Sequence, residues 1–281
     1  MAINKNSNAY IIIYTVVMVV IVGALLAFLA TSLKDKQAAN VLNEKKVSIM
    51  KAFGSADENF DDVVTIGYIT DGKFVEVNKE DSAAVAEVFA ALADLKGLTE
   101  AENNFPIFKY EKDGVTKYVA PMAGKGLWGD IWGYVSLIVE DGKAKISGIV
   151  MDHAGETPGL GAEIATEKWQ QKFEGKVLYN AEGEFAVRMQ KGGAQNEHQV
   201  DAITGGTKTC DGVNAMLLNS IGKYKAFLDS LSTAVAEDTT LEAAETPEAT
   251  EEVVEEATPA AEGDETEEPA QENVEPKTEE E

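Results

Sequence analysis

The chain is poor in the residues from which most reactive sites are built. Of its 281 residues one is cysteine, Cys210, and two are histidine, His153 and His198. A single cysteine excludes an intramolecular disulfide framework and any cysteine-based zinc or iron–sulfur cage. Two histidines far apart in sequence argue against a His-rich metal site and against a mechanism that needs several imidazoles. No Ser lies in a G-x-S-x-G elbow, no G-x-x-x-x-G-K-[ST] phosphate loop occurs, and no G-x-G-x-x-G sits between a parallel strand and a helix. Positive charge is also scarce. The chain has 24 Lys and Arg against 49 Asp and Glu, a formal net charge of −25, which argues against nucleic-acid binding. The imbalance is uneven: residues 233–281 contribute −18, leaving −7 for residues 1–232.

A long uncharged run is present. Tyr10 to Leu33 spans 24 residues without a charge. As a helix it extends about 36 Å, enough to cross a bilayer with some tilt. It is too long for the apolar core of a signal peptide, Ala24, Ala27 and Ala30 lack the A-x-A spacing, and no lipoprotein cysteine follows. The run therefore reads as an uncleaved single-pass anchor. Lys34, Lys36, Lys45 and Lys46 after it outnumber Lys5 before it, so a plain charge count puts the C-terminal side in the cytoplasm. Large domains translocate largely regardless of charge, which weakens that count.

The organisation expected is a short N-terminal segment (1–9), a transmembrane helix (10–33), a linker helix (34–54), a folded domain (55–232) and an acidic tail (233–281). The tail has no aromatic residue and holds four of the seven prolines, so it is expected to be disordered. In the domain, Asp71-Gly72, Asp113-Gly114, Asp141-Gly142 and Glu182-Gly183 each separate β-prone runs, a hairpin signal. Helices are expected over 81–95, 162–173 and 213–231, the last from an i, i+3, i+4, i+7 apolar stripe. This predicts an α+β domain built on an antiparallel sheet.

Three glycine-rich segments are the candidates for chemistry. The first, Gly124 to Tyr134, places four glycines around Trp128 and Trp132; it reads as a ligand-stacking loop or as a turn whose tryptophans plug the core. The second, Gly155 to Glu163, includes Glu156, Thr157, Gly159 and Leu160 and is either a ligand loop at a helix start or an ordinary connection. The third, Asp201 to Thr209, leads into the long helix. A phosphate near Thr207 would meet that helix's positive end, with Lys208 as counter-charge; on the residues alone a turn closed by a threonine N-cap is the better reading. Cys210, at the same helix start, reads as a small buried hydrophobe.

Taken in order, the anchor, GLWGDIWGY, HAGETPGLGAEI, EKWQQKFEGK and DAITGGTKT resemble the C-subunit family of the sodium-translocating NADH:quinone reductase, over about residues 1 to 230. The resemblance implies an FMN joined by a phosphoester to a threonine, attached by a flavin transferase with FAD as donor at an Asp-x-x-Ser/Thr-Gly-Ala-Thr motif. Asp201, Thr204, Gly205 and Thr207 fit that motif, with Thr207 as the linked residue. Gly206 stands where the family usually has alanine. The flavin ring is expected against Trp128, Trp132 and the Glu156–Leu160 loop. The resemblance further implies an electron-relaying member of a multi-subunit complex in the bacterial inner membrane, with its domain in the periplasm, and it outweighs the charge count. Two alternatives remain open: the G subunit of the related ferredoxin-linked ion-translocating complex, which co-purifying partners would distinguish, and a cofactor-free membrane-tethered binding module, which would be colourless.

Overall fold

The computed structural model describes residues 7–244, with side chains through residue 234. The expectations for residues 1–6 and for the tail from 245 to 281 lie outside the described residues.

Helix α1 (Asn8–Phe53) runs unbroken for 46 residues, about 69 Å. It joins the anchor and the linker into one rod. Ser7 caps its start, and Gly54 at φ 78° ends it, with the Gly54 and Ser55 amides returning to Lys51 and Met50. Its most apolar window has a mean hydropathy of 2.9 and buries nothing, so one helix among the described residues is long and apolar enough to span a membrane. Its last turn behaves differently. Ile49, Met50, Ala52 and Phe53 are buried in the domain, so the rod ends as a plug in the core.

The domain is a six-stranded antiparallel sheet in the order β2-β1-β3-β4-β5-β6. The strands are β1 (Val64–Thr70), β2 (Lys73–Glu76), β3 (Phe105–Lys112), β4 (Val115–Lys125), β5 (Asp130–Glu140) and β6 (Lys143–His153). Asp71-Gly72, Asp113-Gly114 and Asp141-Gly142 close the three tight hairpins, and in each pair both residues have positive φ, between 50° and 77°. That is the primed turn whose twist matches the strands it joins. Glu182-Gly183 closes a looser turn, held by an isolated bridge between Tyr179 and Phe185 and by hydrogen bonds between Asn180 and Glu184.

Side-chain alternation gives the sheet two apolar faces. On one, Val64, Ile66, Phe108, Tyr110 and Val119 meet the end of α1, the short helix α2 (Phe60–Val63) and helix α3 (Ser82–Ala91), capped by Asp81. On the other, Ile107, Met122, Ile131, Val135 and Leu137 meet the C-terminal helices. Between α3 and β3 lies the short α4 (Leu95–Glu100).

The helix expected over 162–173 is broken. A 3-10 turn (Gly161–Ala165), a one-turn helix α5 (Glu167–Gln170) and a second 3-10 turn (Gln171–Phe173) replace it. Thr166 is extended at φ −85°, ψ 136°, and its hydroxyl donates back to the Glu163 carbonyl at 2.7 Å. Such local bonding competes with continuation of a helix. The helix expected over 213–231 starts earlier and bends: α6 (Thr207–Ile221), a 3-10 turn (Gly222–Tyr224) and α7 (Lys225–Ala244). At the bend Tyr224 is buried and its hydroxyl donates to the Pro106 carbonyl at 2.7 Å. The helix therefore continues past residue 232. Two short strands, β7 (Arg188–Gln190) and β8 (Gln199–Asp201), pair in parallel; three residues each are too few for periodicity to disclose.

Candidate functional site

The third glycine segment is the entry to α6. Asp201 closes β8, Gly205 turns the chain at φ 78°, and Gly206 is the N-cap. Thr207 is thus the first helical residue, not the cap, and no side chain caps the helix. The first helical bond is Cys210 N–H to the Gly206 carbonyl, at 2.9 Å. The amides of Thr207, Lys208 and Thr209 precede it and have no acceptor among the described residues. Fifteen residues of aligned peptide dipoles stand behind them. Such an end favours an anion.

The three threonines here differ sharply. Thr204 and Thr207 are exposed, whereas Thr209 is 1% exposed and its hydroxyl donates to Glu156 Oε2 at 2.6 Å. Lys208 is exposed and lies 3.9 Å from Asp211. Asp201 accepts the Ala194 amide at 2.8 Å and lies 3.5 Å from Lys172 Nζ; those two partners hold its carboxyl below the usual range. Asp201 thus also ties down the glycine turn at 192–193. Cys210 is buried, its sulfur accepts the Ile203 amide at 3.4 Å, and burial pushes the thiol up.

The other two glycine segments meet this helix start through Glu156. Its carboxylate is 4% exposed. Oε1 accepts the Trp128 amide at 2.8 Å and Oε2 accepts from Thr209. Its own amide donates to His153 Nδ1 at 3.1 Å. Burial alone pushes this carboxyl up; the Thr209 hydroxyl and the Trp128 and Leu127 amides outweigh it and hold the carboxyl below its ordinary value. Two glycines make room for it. A Cβ on Gly126 would strike Glu156 Oε1, and one on Gly161 would strike both Glu156 Oε2 and Thr209 Oγ1.

Around this knot the candidate residues divide. Thr157, Gly159 and Leu160 are exposed at the tip of their loop. Leu160 packs on Gly205, where a Cβ would lie 2.7 Å from Leu160 Cδ2. Trp128 is 69% exposed at the β4–β5 turn. Trp132 is not with it. It lines a cleft under α1, on the sheet face away from α6, with Lys51, Tyr134 and Gln170. Glu156 faces inward and not toward the open side. Gly124, Gly126 and Gly129 have the letter spacing of a dinucleotide fingerprint but lie in and beside a turn between antiparallel strands, which that motif does not use. Sequence reasoning missed Thr209 and His153; neither stands out from its polar neighbours, Thr207 and Lys208 for the first and Asp152 for the second.

A family model described as an FMN-binding domain matches residues 126–222. That stretch begins at the β4–β5 turn, ends with α6 and contains the whole knot. The C subunit of the Na(+)-translocating NADH-quinone reductase of Neisseria meningitidis serogroup B is 30% identical over 260 residues, covering 83% of this chain and 98% of its own. The chain belongs to this C-subunit family. The Haemophilus ducreyi member is 32% identical, with 79% of this chain and 95% of that one covered. The crystal structure of the Parabacteroides distasonis member matches with a TM-score of 0.56 at 33% identity, over 70% of this chain and 96% of that one. A chain of the C-subunit family thus presents an exposed threonine at an uncapped helix start, within the segment that the FMN-binding model matches.

Proposed function

We propose that this chain holds FMN on Thr207 through a phosphoester and relays electrons as one subunit of a sodium-translocating NADH:quinone reductase. The observation that supports this most is the exposed Thr207 hydroxyl as the first residue of an uncapped α6. The residues present fit the group. The free amides of Thr207, Lys208 and Thr209 suit its phosphate, with Lys208 as counter-charge. Leu160, packed on Gly205, offers apolar surface beside it, and Trp128 is exposed on the turn whose amide Glu156 holds. Thr209 is spent on Glu156, and Thr204 precedes the helix, so Thr207 is the hydroxyl that meets the helix's positive end.

The Thr207 oxygen would attack the flavin-side phosphorus of FAD and lose its proton, the pyrophosphate P–O bond would break with AMP as the leaving group, and a flavin transferase would supply the site for that exchange. When bound, FMN supplies the electron chemistry that the polypeptide lacks. The protein's share is tethering, electrostatics and packing, so no acid–base triad is needed. One helix is too little for an ion pore; the other subunits supply NADH oxidation, quinone reduction and the sodium path. The chain is anchored by α1 in the bacterial inner membrane, N-terminus in the cytoplasm and domain in the periplasm.

The test is in-gel flavin fluorescence of the denatured chain, co-expressed with a flavin transferase, for the parent and Thr207→Ala. The reading requires fluorescence in the parent and none in Thr207→Ala. A dark parent beside a fluorescent control substrate would overturn it.

A further inference from the structure

We propose that Glu156 is the positioning residue of the flavin site: its buried carboxylate clamps together the three segments that carry Trp128, Leu160 and Thr207. The inference rests on the flavin reading above and adds what organises the site. The three segments are the β4–β5 turn, the 154–161 loop and the first turn of α6. The ladder between β5 and β6 ends at Ile131 and His153, and one further main-chain bond, from the Ala154 amide to the Asp130 carbonyl at 2.9 Å, joins turn to loop. Past that point, among the described residues, the hydrogen bonds from the 154–161 loop to the tip of the turn and to the first turn of α6 both come from the Glu156 side chain. It gives one oxygen to the turn and one to the helix.

The surroundings are shaped for that carboxylate. Gly126 and Gly161 leave the space it fills, and Gly161 borders Thr209 as well. Its loop is held in turn by His153, whose Nδ1 takes the Glu156 amide. Both carboxylate oxygens are engaged within the protein. Glu156 therefore acts through Trp128 and through α6. Buried charges that accept two or more hydrogen bonds are costly to leave half-paired, which makes such a clamp rigid.

The experiment uses the full-length chain in detergent, with and without co-expressed flavin transferase. Amide hydrogen exchange of Leu127 and Trp128 is followed in the flavin-free chain, and the rate of flavin attachment in the co-expressed one. Glu156→Ala is expected to speed exchange at Trp128 about tenfold or more and to slow attachment by a similar factor. Glu156→Gln keeps an oxygen for the Trp128 amide and an N–H₂ group for Thr209 Oγ, so it is expected to restore attachment to within about threefold of the parent. Tyr224→Phe also removes one buried hydrogen bond, far from the loop, and is expected to leave attachment unchanged. If Glu156→Ala does not fold, Thr209→Val takes its place, detaching α6 alone and slowing attachment.

Unchanged exchange at Trp128 in Glu156→Ala overturns the inference whether or not flavin is present. So does equal slowing of attachment by Tyr224→Phe, which would reduce the effect to general stability. A flavin-free parent with exchange altered as expected would instead overturn the flavin reading and leave the clamp standing.

Discussion

Glu156 and Thr209, 53 residues apart in sequence, share a 2.6 Å hydrogen bond in the same helical turn that exposes Thr207. This bond separates two threonines that sequence alone treats alike. Thr209 is structural and Thr207 is open. Substituting each should give different phenotypes.

Thr209→Val should destabilise the domain by about 1–3 kcal/mol, because it leaves a buried carboxylate oxygen without its donor. Thr207→Ala should cost within about 0.5 kcal/mol, since its side chain is exposed and makes no hydrogen bond among the described residues. Urea unfolding of the two variants beside the parent measures both.

Acid should weaken the knot. The Glu156 carboxyl is held below its ordinary value in the folded protein. A depressed folded pKa contributes stability above the unfolded value, about 4.3, and loses it as pH falls through the folded value. Stability should therefore drop on acidification below about pH 4.3, and Glu156→Gln should flatten that part of the curve. Unfolding midpoints between neutral and strongly acidic pH test the sign.

The plug at the end of α1 sets where a soluble fragment can begin. Phe53 is fully buried and packs on Tyr110 with ring centroids 5.2 Å apart. Phe53→Ala should cost about 3–5 kcal/mol. A fragment starting at Asn40 should stay folded and monomeric, whereas one starting at Asp57 lacks Ile49, Met50, Ala52 and Phe53 and should aggregate. Size-exclusion profiles of the two fragments distinguish these outcomes.

Much of this was readable from residue types. Asp-Gly pairs announced the three tight hairpins because positive φ at both positions is a local matter. The uncharged run announced the long helix, whereas Thr207 was singled out only by the family resemblance, since the residues alone favour a turn closed by a threonine cap. What stayed hidden depended on tertiary geometry. Trp132 and Trp128 look equivalent in sequence, but strand alternation sends Trp132 to the face under α1. Glu156 is one of 49 acidic residues, and nothing local marks it as the one turned inward. At the break beside Thr166, Gln170 donates to the Met151 carbonyl of β6 and to the Ile164 carbonyl of the preceding 3-10 turn, and no periodicity carries the first of these contacts.

The most direct test of the account is peptide mapping of the co-expressed chain by mass spectrometry. Trypsin releases residues 192–208, which hold both Thr204 and Thr207, so fragmentation must separate the two. The account predicts the mass of FMN less one water on Thr207 and none on Thr204. Flavin on Thr204, on another peptide, or retained in Thr207→Ala would contradict it.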